Sequence, residues 1–243
     1  MLPESVRDRV RRSGLATFVT ALPDELGHSD KASTFALMER WMCSTHTFQL
    51  PCGEYTISPG AFAAITGVSC AGERIPFDGA LYFTSEDERT AYFTSVFGHA
   101  PTYRDRCTRI VYSGMLEWLA PLIVEGADGR PRYRDPGSEE ARDQVASIFL
   151  FHLLGSTLFS NETSSLWIHF VPLLGDFDAM GRYDWGSAAL AYLYSCMDKF
   201  ATGYKKLNGF WHAIQVSIVT SLSFPCLCSY YELTFFILAD LGH

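Results

Sequence analysis

The sequence is poor in basic residues: there are 19 Lys and Arg against 27 Asp and Glu, which gives a formal net charge of -8. Neutralising phosphates requires an excess of Lys and Arg on some face, so this balance argues against direct DNA binding. The densest basic stretch contains Arg7, Arg9, Arg11 and Arg12, with Asp8 among them, on a predicted helix. We expect a solvated helix face there, with a phosphate-binding patch as the alternative.

The sequence also lacks an amino-terminal signal peptide, internal repeats and low-complexity tracts. Its seven cysteines are scattered and odd in number, so we expect reduced thiols in a cytosolic or nuclear protein. Hydrophobic residues make up 48% and aromatic residues 14% of the 243-residue chain, which is enough to build one sizeable core. This composition argues against global disorder.

The spacing of the apolar residues predicts a mainly α fold, a single compact helical domain with a small β-hairpin near residues 45–57. Helices are predicted over residues 6–22, 30–42, 59–67, 85–97, 110–124, 139–159, 164–174 and 187–200. Ser58, Ser85 and Ser138 are placed to cap three of them. Apolar residues nearly encircle the helix after Ser138, so this helix is expected at the centre of the fold. Residues 126–137, rich in Gly, Asp, Arg and Pro, predict a loop.

The predicted hairpin brings one histidine near a carboxylate. The segment from Thr45 to Leu50 alternates in polarity and ends at Pro51, and a second short strand follows from Glu54. Pairing of the two strands would place His46 within reach of Glu54. Such a pair could support acid–base chemistry, or a cross-strand hydrogen bond to His46 could simply fix the hairpin.

The sequence offers weak candidates for cofactor and metal sites. An aminotransferase requires a lysine that forms a Schiff base with pyridoxal phosphate, and each lysine of this chain is predicted to be solvated. These lysines are Lys31, Lys199, Lys205 and Lys206. The pair Cys226 and Cys228 has no second Cys or His pair at zinc-binding spacing. We therefore expect no cofactor and no metal.

Three aspartates cluster near one turn of the chain. Asp176, Asp178 and Asp184 could form a carboxylate site for a divalent ion, as in nucleases, or they could cap the neighbouring helices. Capping is the interpretation that we prefer, because one turn cannot supply the separated carboxylates of a two-metal site. Trp185 is then predicted to be a core anchor, together with Trp167 and Tyr183.

Three stretches, in this order along the chain, resemble the plant mobile domain. They are residues 41–57 (WMCSTHTFQLPCGEYTI), 153–159 (LLGSTLF) and 181–194 (GRYDWGSAALAYLY). The matching positions of the first motif are Trp41, Thr45, His46, Thr47, Phe48, Leu50, Pro51, Gly53 and Glu54. Those of the third motif are Trp185, Gly186, Ser187, Ala188, Leu190, Ala191, Leu193 and Tyr194. We expect the main role of these motif residues to be structural.

The resemblance implies a nuclear protein of the MAIN-like group of the plant mobile domain family. Members of this family are linked to transcriptional and transposon silencing, genome integrity and meristem maintenance. The resemblance also implies protein partners, including a serine/threonine phosphatase or chromatin-silencing factors. We do not read the family's aminotransferase-like label as an activity, and expect a non-enzymatic interaction module. A transposon-derived, nuclease-like enzyme remnant is the alternative.

The end of the chain departs from the family's pattern. We assign residues 1–215 to the plant mobile domain and residues 216–243 to an atypical hydrophobic tail. The uncharged residues 207–231 are long enough to span a bilayer, but they contain several polar residues and Pro225. A membrane tether is therefore the alternative to burial of this run.

Overall fold

Helices form most of the regular structure of this chain. The computed structural model describes residues 2–22, 31–51, 53–77, 83, 85–106, 108–126, 129 and 131–222. Within them the α-helices are α1 (Glu4–Arg12), α2 (Ala16–Ala21), α3 (Lys31–Met38), α4 (Pro59–Thr66), α5 (Glu86–Phe97), α6 (Glu139–Ser156), α7 (Phe177–Met180), α8 (Trp185–Ala201) and α9 (Trp211–Leu222). The buried apolar side chains form one core, and the predicted mainly α fold is confirmed.

Short antiparallel strands complete the fold. The first sheet consists of β1 (Trp41–Met42), β2 (Thr47–Leu50) and β3 (Gly53–Tyr55), in that order. The second sheet consists of β4 (Tyr103–Arg104), β5 (Arg109–Val111) and β8 (Ser165–Trp167), and β6 (Ile123–Glu125) pairs with β7 (Pro131–Tyr133) in a hairpin. Segments of 3-10 helix cover Met115–Leu122, Ile168–Phe170 and Pro172–Gly175. The second sheet therefore joins parts of the chain that are distant in sequence.

Helix α6 lies at the centre of the fold, as its apolar sequence predicted. Ser138 caps the helix, because its hydroxyl accepts a hydrogen bond from the Ala141 amide at 3.1 Å. Buried residues such as Val145 and Leu154 occur along its length. Helices α1 and α5, strand β8 and the 3-10 segment Met115–Leu122 pack around it. The middle turns of α6 are thus enclosed by protein.

The other predicted serine caps are confirmed. Ser58 accepts a hydrogen bond from the Ala61 amide at 3.2 Å, and Ser85 accepts one from the Glu88 amide at 3.1 Å. Helix α4 then ends at Gly67, whose φ of 70° is a left-handed conformation that glycine adopts without steric cost. A cap joins residues three apart in sequence, so a local pattern is sufficient to locate it.

The helix predicted over residues 6–22 is divided into α1 and α2. The break falls at Gly14, which has a φ of 76°. A Cβ atom at this position would also approach the backbone of Gly181 to 3.3 Å. The change of direction lets α1 pack along α6 while α2 contacts α4.

Two further helix predictions are wrong, because their apolar runs form strands and 3-10 turns. Residues 110–124 are divided among β5, a 3-10 helix and β6, and Pro121 within them has no amide hydrogen to donate. Residues 164–174 form β8 and two short 3-10 turns, and the predicted loop at 126–137 contains β7. Short apolar runs look alike in buried strands and buried helices, so their spacing alone does not decide between them.

The predicted hairpin near residues 45–57 is confirmed and has a third strand. Gln49 lies opposite Glu54 in the β2–β3 pair, and β1 adds the pairing of Trp41 with Phe48. Helix α3 accordingly ends at Met38, before the predicted end at residue 42.

Helix α9 runs without interruption past residue 215, where we predicted a domain boundary. The Gln215 amide donates to the Thr34 hydroxyl at 3.1 Å, and Ser217 and Ile218 are buried. Most of the predicted tail, residues 223–243, lies outside the described residues. A distinct tail therefore stays a prediction.

Two arginines of α1, Arg9 and Arg12, are paired with acidic residues of other helices. Arg9 is only 7% exposed, and its guanidinium donates to Glu139 at 2.6 Å and also to Asp143. Arg12 donates to both carboxylate oxygens of Asp178, at 2.8 and 2.6 Å, and these hydrogen bonds lower the pKa of Asp178. The predicted solvated face is therefore wrong for Arg9, which links α1 to the first turns of α6.

We predict that Arg9→Ala lowers the free energy of unfolding by about 1–3 kcal/mol, because charge-assisted hydrogen bonds and buried aliphatic packing are lost together. Arg7→Ala is the matched control, since the Arg7 side chain is 44% exposed, and it should cost less than about 1 kcal/mol. Urea unfolding followed by circular dichroism measures both values. Equal losses for the two variants would contradict the linking role of Arg9.

Candidate binding site

The first and third motifs meet at the carboxyl-terminal half of α8. The Trp41 indole donates from Nε1 to Asp198 Oδ1 at 2.8 Å. The Tyr194 hydroxyl donates to the Ile57 carbonyl at 2.7 Å and lies 2.8 Å from the Thr56 hydroxyl. The first sheet is thereby fixed onto α8.

His46 contacts α8 and Trp41 of β1 rather than Glu54 of β3. Its Nε2 lies 3.2 Å from Asp198 Oδ2, and its ring stacks on Trp41 with a centroid distance of 5.9 Å. Glu54 instead accepts a hydrogen bond from the Thr47 hydroxyl at 3.2 Å. The predicted pairing of His46 with Glu54 is therefore wrong. The reason is that His46 lies in the β1–β2 turn, with a φ of 52°, and outside the paired part of β2.

The remaining residues of the first motif form a buried group and an exposed group. Phe48 is fully buried, and Leu50 is partly buried against the core. The exposed members are Thr45, Pro51, Gly53 and Glu54. An exposed residue can contact a partner as well as shape a turn, so the structural role that we assigned to this motif stays a prediction.

The third motif begins at a capped and buried helix end. Trp185 is 2% exposed, and its indole donates to the Met180 carbonyl at 2.9 Å. Asp184 caps α8 by accepting a hydrogen bond from the Ser187 amide at 2.9 Å, and Asp176 caps α7 in the same way. Capping by these two aspartates is confirmed, whereas the predicted capping by Asp178 is wrong, because its carboxylate accepts hydrogen bonds from Arg12 of α1.

Two motif glycines lie where a side chain does not fit. A Cβ atom at Gly186 would lie 2.5 Å from the Ser69 carbonyl oxygen, which also accepts the Gly186 amide hydrogen at 2.9 Å. In the second motif, a Cβ atom at Gly155 would lie 2.4 Å from the ring of Tyr112. The two glycines therefore allow α8 and α6 to approach their neighbours closely.

A pocket of about 430 Å³ opens between the second sheet and α8. It is lined by Phe77, Arg109, Phe159, Leu166, Trp167, His169, Phe170, Ala188 and Tyr192. Phe159 comes from the second motif and Ala188 from the third, so both motifs contribute to this pocket. Concave, mainly apolar walls with a few polar groups are the usual form of a ligand site.

Trp167 lies at this pocket and not in the core beside Trp185, where we predicted it. Its side chain is 48% exposed, and the guanidinium carbon of Arg109 lies 5.1 Å from the centroid of its ring. Tyr183 does contact Trp185, with ring centroids 6.3 Å apart. The error follows from the missed strand β8, in which Trp167 pairs with Arg109.

Two nitrogen atoms of the pocket are buried without a hydrogen-bond partner among the described residues. They are Arg109 Nε, a donor, and His169 Nδ1, whose role depends on the tautomer. The Tyr192 hydroxyl is satisfied by the Ser160 carbonyl at 3.3 Å. Burial raises the pKa of Tyr192, so this hydroxyl stays protonated at neutral pH.

Sequence reasoning missed Arg109 and His169 as candidate site residues. A signal was present, because Arg104, Arg106 and Arg109 fall within six residues, a density close to that of the basic stretch in α1. The pocket itself left no such signal, since it is assembled from segments that are separate in sequence.

The predictions about metal ligands, lysines and membrane spans can be compared with the structure for the described residues only. Among the described residues, no three His, Cys, Asp or Glu side chains are grouped to hold a metal ion. Lys199, Lys205 and Lys206 are exposed, whereas the Lys31 side chain lies outside the described part. Across the residues with a described placement, no helix combines the length and the hydropathy needed to cross a membrane.

We predict that Gly186→Ala lowers the free energy of unfolding by about 1–3 kcal/mol, because the added methyl group would overlap the Ser69 carbonyl. Gly60→Ala is the matched control in helix α4, where the nearest other atom to a new Cβ is the Ser58 hydroxyl at 4.0 Å. That variant should be neutral or up to about 1 kcal/mol more stable. Thermal unfolding of both variants tests this, and an unchanged Gly186→Ala protein would show that α8 can move away from residue 69.

Comparisons with known proteins place the three motifs in one family. The model of the family described as "Plant mobile domain" matches residues 25–223 of this chain. Protein MAIN-LIKE 2 of Arabidopsis thaliana is 32% identical over 163 residues, which are 67% of this chain and 22% of the relative. Protein MAINTENANCE OF MERISTEMS of the same plant is 28% identical over 160 residues, or 65% of this chain and 30% of the relative.

A third relative is the serine/threonine-protein phosphatase 7 long form homolog of Arabidopsis thaliana, which is 30% identical over 166 residues. The match covers 68% of this chain but 11% of that relative. The aligned part thus spans less than a third of the length of each of these relatives. No solved structure matches the chain significantly. Because the family match extends over most of the chain, including all three motifs, this protein belongs to the plant mobile domain family.

Proposed function

We propose that this chain is a non-enzymatic protein-interaction module of the nucleus, which contributes to transcriptional and transposon silencing, genome integrity and meristem maintenance. The observation that carries the proposal is the open aromatic pocket beside α8. Trp167 and Phe77 are 48% and 38% exposed at this pocket. Trp, Tyr and Arg are the residue types that dominate the binding energy of protein interfaces, and all three are present here.

The chemistry of the pocket supports binding more than catalysis. Among the residues that the structure describes, those lining the pocket include no carboxylate, no thiol and no lysine. Within the described lining, acid–base chemistry would depend on His169 and Tyr192, and the Tyr192 hydroxyl is held by a backbone carbonyl. Apolar walls with one guanidinium at the rim are suited to hold a side chain of another protein.

The names of two relatives support the biological process and the type of partner that we propose for this chain. One of them is named for the maintenance of meristems, and another is a serine/threonine phosphatase homolog. We propose that the partners of this chain include such a phosphatase or chromatin-silencing factors.

We predict that Trp167→Ala removes partner capture in plant nuclei. The chain fused to a proximity-labelling enzyme should label a phosphatase or chromatin proteins, and the loss of a central Trp should reduce this labelling by about tenfold or more. Ile123→Ala is the matched control, because Ile123 is similarly exposed, at 45%, and lies on the β6–β7 hairpin away from the pocket.

Two results would contradict the proposed function. One is a wild-type protein that is found outside the nucleus in fluorescence images and labels no phosphatase or chromatin protein. The other is equal labelling by the Trp167→Ala and Ile123→Ala variants, which would mean that the partner surface lies elsewhere.

A further inference from the structure

The β4–β5 hairpin places three arginines beside the pocket. Arg104, Arg106 and Arg109 lie on or between these strands, with Asp105 in the turn. Among the described residues, no carboxylate lies within 4.0 Å of any of the three guanidinium groups. By contrast, Arg9 and Arg12 on helix α1 both have carboxylate partners. The chain as a whole has a net charge of -8, whereas this hairpin contains three arginines and one aspartate.

The sheet register directs two of these arginines toward the pocket side. Arg104 lies opposite Arg109 in the β4–β5 pair, and Arg109 lies opposite Trp167 in the β5–β8 pair. Residues that are directly opposite in antiparallel strands project from the same face of the sheet. Arg104, Arg109 and Trp167 therefore form one row, which ends at the aromatic rim of the pocket.

The interior of the pocket selects an apolar group. Phe159, Leu166 and Phe170 are at most 7% exposed and belong to its walls. In the described part of the pocket, the buried nitrogen atoms Arg109 Nε and His169 Nδ1 have no hydrogen-bond partner. A ligand that combines a bulky apolar body with an adjacent carboxylate would contact the apolar walls and also give the Arg109 guanidinium the carboxylate partner that it does not have among the described residues.

Two other ligand classes fit these observations less well. A methylated ammonium group is attracted by aromatic rings, but the Arg109 guanidinium already lies over the Trp167 ring and would repel a second cation. A nucleobase could stack on Trp167, yet its polar edge would lose hydrogen bonds inside apolar walls. A leucine or aromatic side chain of a peptide has no such cost.

We infer that the pocket binds a short segment of a partner protein in which a bulky apolar side chain is flanked by acidic residues. The apolar side chain packs against the pocket walls beside Phe159 and Phe170, whose rings contact each other, and a flanking carboxylate forms a charge-assisted hydrogen bond with the Arg109 guanidinium. Arg104 and Arg106 attract the remaining acidic residues over a longer range. This inference rests on the proposed function as a protein-interaction module and specifies the chemistry of the partner.

The test uses the full chain and a phage-displayed library of short random peptides. We expect enrichment of Leu, Phe or Trp beside Asp or Glu. The most enriched peptide is then synthesised with a fluorescent label, together with one version in which its acidic residues are replaced by Gln and one in which its apolar residue is replaced by Ala. Fluorescence anisotropy measures the dissociation constant of each, and both replacements should weaken binding by about tenfold.

The matched protein variants are Arg109→Gln and Arg134→Gln, which change the net charge equally. Arg134 is exposed and does not line the pocket. Arg109→Gln should weaken binding of the acidic peptide by about tenfold and should have less effect on its Gln version, whereas Arg134→Gln should have little effect. The exposed variant Arg104→Gln should reduce affinity by about threefold, and mainly at low salt. Because Arg104 is exposed, the Arg104→Gln variant still tests the inference if Arg109→Gln lowers the thermal stability of the protein.

Several outcomes would overturn the inference. They are a library that enriches no sequence or enriches basic residues, equal effects of Arg109→Gln and Arg134→Gln, and tighter binding of a labelled single-stranded oligonucleotide than of the peptide. If nuclear labelling depends on Trp167 while no acidic peptide binds, the proposed function stands and this inference fails. If the acidic peptide binds but no nuclear partner is labelled, the chemistry of the pocket stands and the proposed function fails.

Discussion

Burial of helix α6 is the constraint on which the rest of the fold depends. Between Val145 and Leu154 the helix is apolar on most of its faces, and such a helix is stable only when other elements cover it. Helix α1, helix α5 and strand β8 provide this cover. Each fully buried Leu or Phe contributes about 1.5–3 kcal/mol, more than the weak α-helical preference of a short segment. The flanking segments therefore adopt whatever structure brings their apolar residues to α6, including strands and 3-10 turns.

The pocket forms where this packing ends. Phe159 follows the last turn of α6, and its ring contacts Phe170 and Trp185 at centroid distances of 4.9 and 6.4 Å. These rings join the floor of the pocket to the core, so the floor has the rigidity of a packed interior. The rim comes from the second sheet, where Trp167 is half-exposed and Arg109 is partly buried beside it. A rigid apolar floor with a charged rim is the geometry on which the proposed binding of a partner depends.

Sequence reasoning succeeded where an interaction is local. Ser58, Ser85, Ser138 and Asp184 each accept a hydrogen bond from the amide three residues later, and the helices begin where these caps predict. It failed where the partner is distant in sequence. His46 was paired in prediction with Glu54, eight positions away, but it contacts Asp198 on α8. Trp167 was assigned to a core helix, although pairing with β5 places it at the surface.

By itself the sequence determined the fold class, the capped helices, the central place of α6 and the family. These properties depend on composition, on apolar spacing and on contacts between residues a few positions apart, all of which can be read along the chain. Only the tertiary structure decided that Arg9 is buried, that the first motif contacts Tyr194 and Asp198 on α8, and that Arg109 and Trp167 form the rim of a pocket. Each of these depends on which distant segments pack together, and that choice is made by burial of the whole core rather than by any local pattern.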